Sequence, residues 1–191
     1  MSLVKVILGS TRPNRFGIQP AEWVMKLSEQ YKDATFELVD LADINLPFLD
    51  EPVPPSMRQY TKEHTKTWSR IISEADGFVF VTAEYNYGIP AGLKNAIDFV
   101  SHEWHYKPAT FVSYGSDAGG ARAIEHLRGS AGWLRMYDLR EHLSIPNYWT
   151  QLDEHGKFQP TDEQTKTVKT MLESVIFWAD RLKPIRQELE K

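Results

Sequence analysis

Val4-Lys5-Val6-Ile7-Leu8-Gly9-Ser10-Thr11-Arg12-Pro13-Asn14-Arg15-Phe16-Gly17 is the stretch that decides the fold. Val4 to Leu8 is a short apolar run closed by a glycine, the pattern of a strand buried on both faces of a parallel sheet and followed by a tight loop. Past the loop, Ile18, Ala21, Trp23, Val24 and Leu27 recur at roughly helical spacing, and Phe36-Glu37-Leu38-Val39 reads as a second strand. A strand, loop, helix, strand unit therefore opens the chain.

The same alternation continues downstream. Leu41 to Ser56 carries Pro47, Pro52, Pro54 and Pro55 and is expected to be a long irregular surface loop. Tyr60 to Ala75 has a helical pattern, Gly77-Phe78-Val79-Phe80-Val81-Thr82 is the least ambiguous strand, and Pro90 suits the start of a helix over Ala91 to Val100. In that helix Leu93, Ala96, Ile97 and Val100 form one buried stripe. Ala109 to Tyr114 reads as strand four, Gly115 to Gly120 as a turn, Ala121 to about Met136 as a helix, and Leu143-Ser144-Ile145 as strand five. Thr161-Asp162-Glu163-Gln164 matches a capping box, opening a helix expected to end near Leu182, before Pro184. Strands alternating with helices predict one doubly wound α/β domain over residues 1–191, with ligands beyond the carboxyl ends of its strands.

Composition narrows the function. The chain has 191 residues, 41% of them hydrophobic, enough for one substantial core. Its 22 Lys and Arg against 26 Asp and Glu give a formal charge of −4, so no global field favours nucleic acid or an anionic membrane as partner. The absence of cysteine removes disulfides, thiolate metal sites and thiol nucleophiles together, and redox chemistry would need a borrowed cofactor. The first apolar run is too short to span a bilayer and lacks the flanks of a signal peptide, so a cytoplasmic location is expected.

Three loops follow strands one, three and four. The first gathers Ser10, Thr11, Arg12 and Arg15 just before a helix, where hydroxyls, guanidinium forks and free backbone N–H groups make a phosphate cradle. It lacks the lysine of a P-loop and the spacing of a dinucleotide-binding glycine turn. The second, Glu84-Tyr85-Asn86-Tyr87-Gly88-Ile89-Pro90, offers stacking surface and edge hydrogen bonds to a planar heteroaromatic ring. The third, Tyr114-Gly115-Ser116-Asp117-Ala118-Gly119-Gly120, lets backbone approach a ligand closely.

Gly9-Ser10-Thr11-Arg12, the run Val81-Thr82-Ala83-Glu84-Tyr85-Asn86 followed by Leu93-Lys94-Asn95-Ala96-Ile97-Asp98, and Tyr114-Gly115 before Gly119-Gly120 resemble the NAD(P)H-dependent FMN reductase family, from the first strand to about residue 130. The resemblance implies a flavodoxin-like three-layer sandwich with a five-stranded parallel sheet in the order 2-1-3-4-5. It implies FMN and NADPH or NADH as cofactors, with the FMN phosphate on Ser10, Arg12, Arg15, Phe16 and Gly17. Glu84, Tyr85 and Asn86 would hold the isoalloxazine ring, which Tyr114, Gly115 and Ser116 would flank. The implied activity is ping-pong reduction of a small-molecule electron acceptor such as a quinone, azo compound or flavin. The competing reading is an FMN-binding electron carrier or redox-sensing interaction protein. Arg12, Arg15 and the near-neutral composition favour the enzyme, since carriers of this fold tend to be strongly acidic with Ser/Thr-rich phosphate loops. Relatives usually carry proline where this chain has Ala83. They commonly assemble as homodimers or homotetramers.

Because the cofactor carries the chemistry, no acid–base residue is nominated. His102 and His105, with Glu103 between them, read as packing near Trp104 rather than a metal site, for want of a third ligand. Phe99, Trp104, Tyr106, Trp133, Tyr137, Tyr148 and Trp149 are numerous for exterior loops, and an exposed subset is expected at an interface between copies.

Overall fold

The computed structural model describes residues 1–189, and its strands form one parallel sheet. In chain order these are β1 (Ser2–Leu8), β2 (Ala34–Asp40), β3 (Gly77–Ala83), β4 (Pro108–Tyr114) and β5 (Tyr137–Ile145), arranged β2-β1-β3-β4-β5 as expected. Val6 stands opposite Leu38 on one side and Val79 on the other, and Val81 opposite Val112. The strand order reverses at β1, so the crevice beside its carboxyl end is the switch point where such sheets take ligands. Residues 190 and 191 of the expected domain lie outside the described residues.

Helices α1 (Ile18–Ser28) and α6 (Asp162–Leu189) cover one face of the sheet, over Val4, Val6, Val79, Val81 and Val112. Helices α3 (Glu63–Glu74), α4 (Ala91–Asp98) and α5 (Ala121–Trp133) cover the other, around Trp68, Phe78, Phe80, Trp104 and Phe111. Leu93, Ala96 and Ile97 are buried as their spacing requires, and Val100 is buried as well, although α4 ends at Asp98 rather than at Val100. Phe99 and Trp104 are buried too, leaving Trp133, Tyr137 and Trp149 as the exposed members of the aromatic group.

Several boundaries differ from the sequence reading, each for a physical reason. The proline-rich loop begins with a one-turn helix, α2 (Leu41–Ile44), because the Asp40 carboxylate accepts from the Ala42 N–H at 2.9 Å and Asn45 closes the turn with φ 49° before the first proline. Helix α3 starts at Glu63 rather than Tyr60, since Glu51 accepts the N–H groups of Thr61 and Lys62. Helix α5 stops at Trp133, where Leu134 and a left-handed Arg135 turn the chain into β5. Strand β5 is nine residues long, not three: Tyr137 to His142 is a half-exposed edge whose charged residues hide the pattern.

Helix α6 runs through Pro184 to Leu189 instead of ending near Leu182. A proline inside a helix costs about 3 kcal/mol. The last turns are nevertheless held, because Lys183 and Arg186 bind the two oxygens of Asp76 at 2.9 and 2.5 Å. Among the described residues no helix is long and apolar enough to cross a membrane.

Candidate functional site

The loop after β1 leaves the sheet at Gly9, whose N–H donates to the Val81 carbonyl at 2.9 Å. A Cβ there would lie 2.7 Å from Leu93, so glycine is what lets α4 pack against this loop. Ser10 is fully buried, with its Oγ 2.7 Å from the Tyr85 hydroxyl. Thr11 and Arg12 are exposed. Arg15 turns aside to pair with Asp40 at the end of β2, in a largely buried contact. Phe16 is buried, stacked on Tyr148 with ring centres 4.2 Å apart and edge-on to Tyr114 at 5.1 Å.

Gly17, the N-cap of α1, faces Tyr114 so closely that a Cβ would lie 2.6 Å from its hydroxyl. That hydroxyl is buried and lacks a well-formed hydrogen bond. Burial and the neighbouring Tyr85 raise its pKa; the Ser10 hydroxyl and the Gly17 N–H beside it only partly oppose the rise.

In the loop after β3, the Glu84 N–H donates to the Tyr114 carbonyl at 3.1 Å. Its side chain points behind the loop, accepting the Arg122 backbone N–H at 3.0 Å and the Arg122 Nε at 2.8 Å. Glu84 thus caps the first turn of α5 and pairs with the cation there. Tyr85 and Gly88 exchange backbone hydrogen bonds at 2.9 and 3.0 Å. Between them Asn86 and Tyr87 both have positive φ, 49° and 69°, the signature of a type I′ turn made without glycine in the middle. Arg122 covers this strained pair, its guanidinium 3.8 Å from the centre of the Tyr87 ring.

The loop after β4 is fixed by backbone. Ser116 O accepts from Gly119 N at 2.8 Å and Asn147 N at 3.1 Å, and Gly115 N donates to Ile145 O at 3.3 Å. Gly119 and Gly120 have φ of 60° and 87°, and a Cβ on either would meet neighbouring atoms at 2.7 Å. Both positions need glycine.

Of the residues nominated from sequence, Ser10, Gly17, Tyr85 and Tyr114 come together at the centre, and Arg12, Asn86, Gly115 and Ser116 lie along the rim. Arg15, Phe16 and Glu84 spend their side chains behind the loops, on Asp40, on Tyr148 and on Arg122. Asp40 and Arg122 were not singled out from sequence, and Tyr148 was named only in the aromatic group expected at an interface, whereas it stacks on Phe16 beside this site. Asp40 ends the strand next to β1, a position that could have flagged it; Arg122 and Tyr148 carry no such local signal. His102 and His105 lie with ring centres 4.8 Å apart, and among the described residues no group of three or more His, Asp or Glu could hold a metal ion.

Hydroxyls and an exposed guanidinium at a helix start suit a phosphate dianion, while an aromatic and amide rim suits a planar ring. The buried, poorly bonded Tyr114 hydroxyl adds a polar group in want of a partner. These features fit FMN.

Comparison with known proteins agrees. Residues 2–150 match the NADPH-dependent FMN reductase family. An NAD(P)H-dependent FMN reductase of Schizosaccharomyces pombe is 47% identical over 135 residues, which cover 70% of this chain and 67% of that one. A 2-hydroxy-1,4-benzoquinone reductase of a Burkholderia species is 28% identical over 184 residues, covering 92% and 94%. A solved flavoenzyme, the NAD(P)H:(acceptor) oxidoreductase of Paracoccus denitrificans, shares the fold with a TM-score of 0.76 at 20% identity, covering 95% of this chain and 98% of that one. By sequence, topology and the convergence of its three loops, the chain belongs to the NADPH-dependent FMN reductase family, oxidoreductases that work with FMN and NAD(P)H.

Proposed function

We propose that this chain seats the FMN phosphate on the loop after β1 and the isoalloxazine ring against the loops after β3 and β4. Ser10 and Arg12 bind the phosphate, assisted by backbone N–H groups leading into α1. Tyr85, Asn86 and the Gly115–Ser116 backbone contact the ring. Arg15, Phe16, Gly17, Glu84 and Tyr114 shape the cradle, the first two and Glu84 from behind it. The observation that carries this assignment is the Ser10–Tyr85 hydrogen bond, which joins the phosphate loop to the ring loop.

FMN held there would supply the hydride- and electron-transfer chemistry between nicotinamide and acceptor, which these residues would bind, orient and tune. The chain supplies an exposed rim of Asn86, Tyr87 and Ser116, where nucleotide and acceptor take turns in a ping-pong cycle. Quinones, azo compounds and free flavin are the proposed acceptors. A cavity of about 530 Å³ walled by Asn45, Pro47, Phe48 and Asn95 adjoins the loop after β1 at Thr11. The proposed assembly is a homodimer or homotetramer that buries the exposed Trp133, and the proposed compartment is the cytoplasm.

An anaerobic absorption experiment tests the reading. Added FMN should bind, bleach on addition of NADPH within seconds and recover its colour with benzoquinone. Failure to bind FMN would overturn the assignment, and binding without bleaching would leave the electron-carrier alternative.

A further inference from the structure

At the opposite end of the sheet, below the starts of β3, β4 and β5, lies a second concave site. Its cavity of about 390 Å³ is lined by Arg58, His102, His105, Tyr106, Arg135 and Arg186. Four separate segments build it: the end of the proline-rich loop, the turn before β4, the turn from α5 into β5, and the last turns of α6.

Among the described residues its charges are unbalanced. Nearby carboxylates already have partners among the described residues: Asp76 binds the Leu3 N–H, Lys183 and the cavity's own Arg186; Glu74 binds Lys5; and Glu103 accepts from the Tyr60 and Ser69 hydroxyls and the Ser101 N–H. Among the described residues no carboxylate pairs with Arg58 or Arg135, and the one hydrogen bond from the Arg135 guanidinium goes to the neutral Tyr106 hydroxyl at 3.2 Å. Their effect reaches His105. Burial lowers its pKa, and His102, Arg135 and Arg58 lower it further against the opposing pull of Glu103.

The backbone carries a second sign of specialisation. Arg58, Tyr106 and Arg135 are all left-handed, with φ of 53°, 57° and 53°, and each is held there by its own N–H bond, to Pro55, Arg135 and Gly132 respectively. Non-glycine residues in this conformation are uncommon and gather where side chains are aimed at a ligand.

We propose that this cavity binds a compact phosphate-bearing anion, gripped by the guanidinium forks of Arg58 and Arg135 with His102 and His105 as flanking donors. Planar guanidinium groups match phosphate oxygens two at a time, and the volume is that of a small-ligand pocket. The site is separate from the FMN loops and does not depend on their assignment.

Pyrophosphate is the probe, titrated calorimetrically into the full chain at fixed ionic strength. Arg12→Ala weakens the phosphate loop at the other end, so binding that survives in that variant reports on this cavity. Adding Arg58→Gln and Arg135→Gln should then weaken pyrophosphate binding at least ten-fold, while Arg58→Lys with Arg135→Lys should lose less. The His105 ring resonances should shift on titration in the Arg12→Ala protein and stay still in the triple variant. Circular dichroism confirms that these exposed substitutions leave the fold intact. No saturable binding in Arg12→Ala, or equal binding in the triple variant, would overturn the proposal.

Discussion

Ser10 Oγ and Tyr85 OH lie 2.7 Å apart, joining the loop after β1 to the loop after β3. A neutral hydrogen bond of this kind contributes about 0.5–1.5 kcal/mol. Tyr85→Phe removes it while keeping the ring, so FMN affinity should fall by a few-fold, through loss of loop alignment rather than loss of stacking. Fluorescence titration with FMN measures this; an unchanged Kd would show that the bond does not order the cradle.

Arg12→Ala should weaken FMN binding far more, by roughly ten- to a hundred-fold, because a charge-assisted bond to phosphate contributes about 1.5–3 kcal/mol. Riboflavin, which lacks the phosphate, should bind parent and variant alike. A variant that retains FMN as tightly as the parent would place the phosphate elsewhere.

Gly17→Ala tests the close approach to Tyr114. Gly17 has an ordinary helical φ of −55°, so any cost is steric, and the added methyl would sit 2.6 Å from the Tyr114 hydroxyl. Overpacking of this sort costs about 1–3 kcal/mol. Combining it with Tyr114→Phe removes the nearest atom and should recover part of the loss in urea denaturation, leaving the 2.9 Å contact with Leu8. Strict additivity of the two substitutions would contradict the contact.

Arg122→Ala leaves the Glu84 carboxylate buried without its cation and uncovers Tyr87. The expected destabilisation is about 1–3 kcal/mol, below what breaking a fully buried pair costs because Arg122 is 37% exposed. Arg122→Lys should restore little, since one ammonium cannot replace the bond from Nε, the ion pair and the flat face over the ring. Thermal unfolding of the three proteins decides the matter, with full rescue by lysine as the contrary result.

Glu51 gives the fold an acid-sensitive contact. Slight burial acts to raise its pKa, but hydrogen bonds from the N–H groups of Thr61 and Lys62 and from the Thr61 hydroxyl outweigh it and bring the value to about 2. A carboxyl depressed in the folded state stabilises above its unfolded pKa and loses that contribution as pH falls through the folded value. Stability should therefore decline between about pH 4.5 and 2, and Glu51→Gln should flatten that part of the profile. An identical slope in the variant, followed by denaturant unfolding at each pH, would assign the decline to other carboxylates.

The central strands were legible because burial on both faces leaves an uninterrupted apolar run, as in Phe78-Val79-Phe80-Val81. Strand β5 was not, since Asp138, Arg140 and Glu141 are tolerated along a sheet edge and erase the pattern. Pro184 misled for a related reason: local propensity argued for a helix end, and a distant carboxylate, Asp76, overruled it. The site divides in the same way. Strand ends located all three loops, but nothing local says that Glu84 faces Arg122 or that Arg15 faces Asp40, because those directions are set by partners far away in the chain.

Helix α6 has a consequence for how the molecule is made. Val168, Met171, Leu172 and Val175 join Ala21 and Val24 of α1 in closing over Val4, Val6, Val79, Val81 and Val112, so the part of this face that α1 does not cover stays open to water until this stretch has left the ribosome. The β1 strand precedes the other strands, and the α6 part of its cover emerges after all of them. A nascent chain halted before Asp162 should thus carry a fully paired sheet whose valine face is covered by α1 alone, a substrate for chaperones and a template for aggregation. The order of synthesis makes the interval between β5 and α6 the hazardous part of this protein's birth.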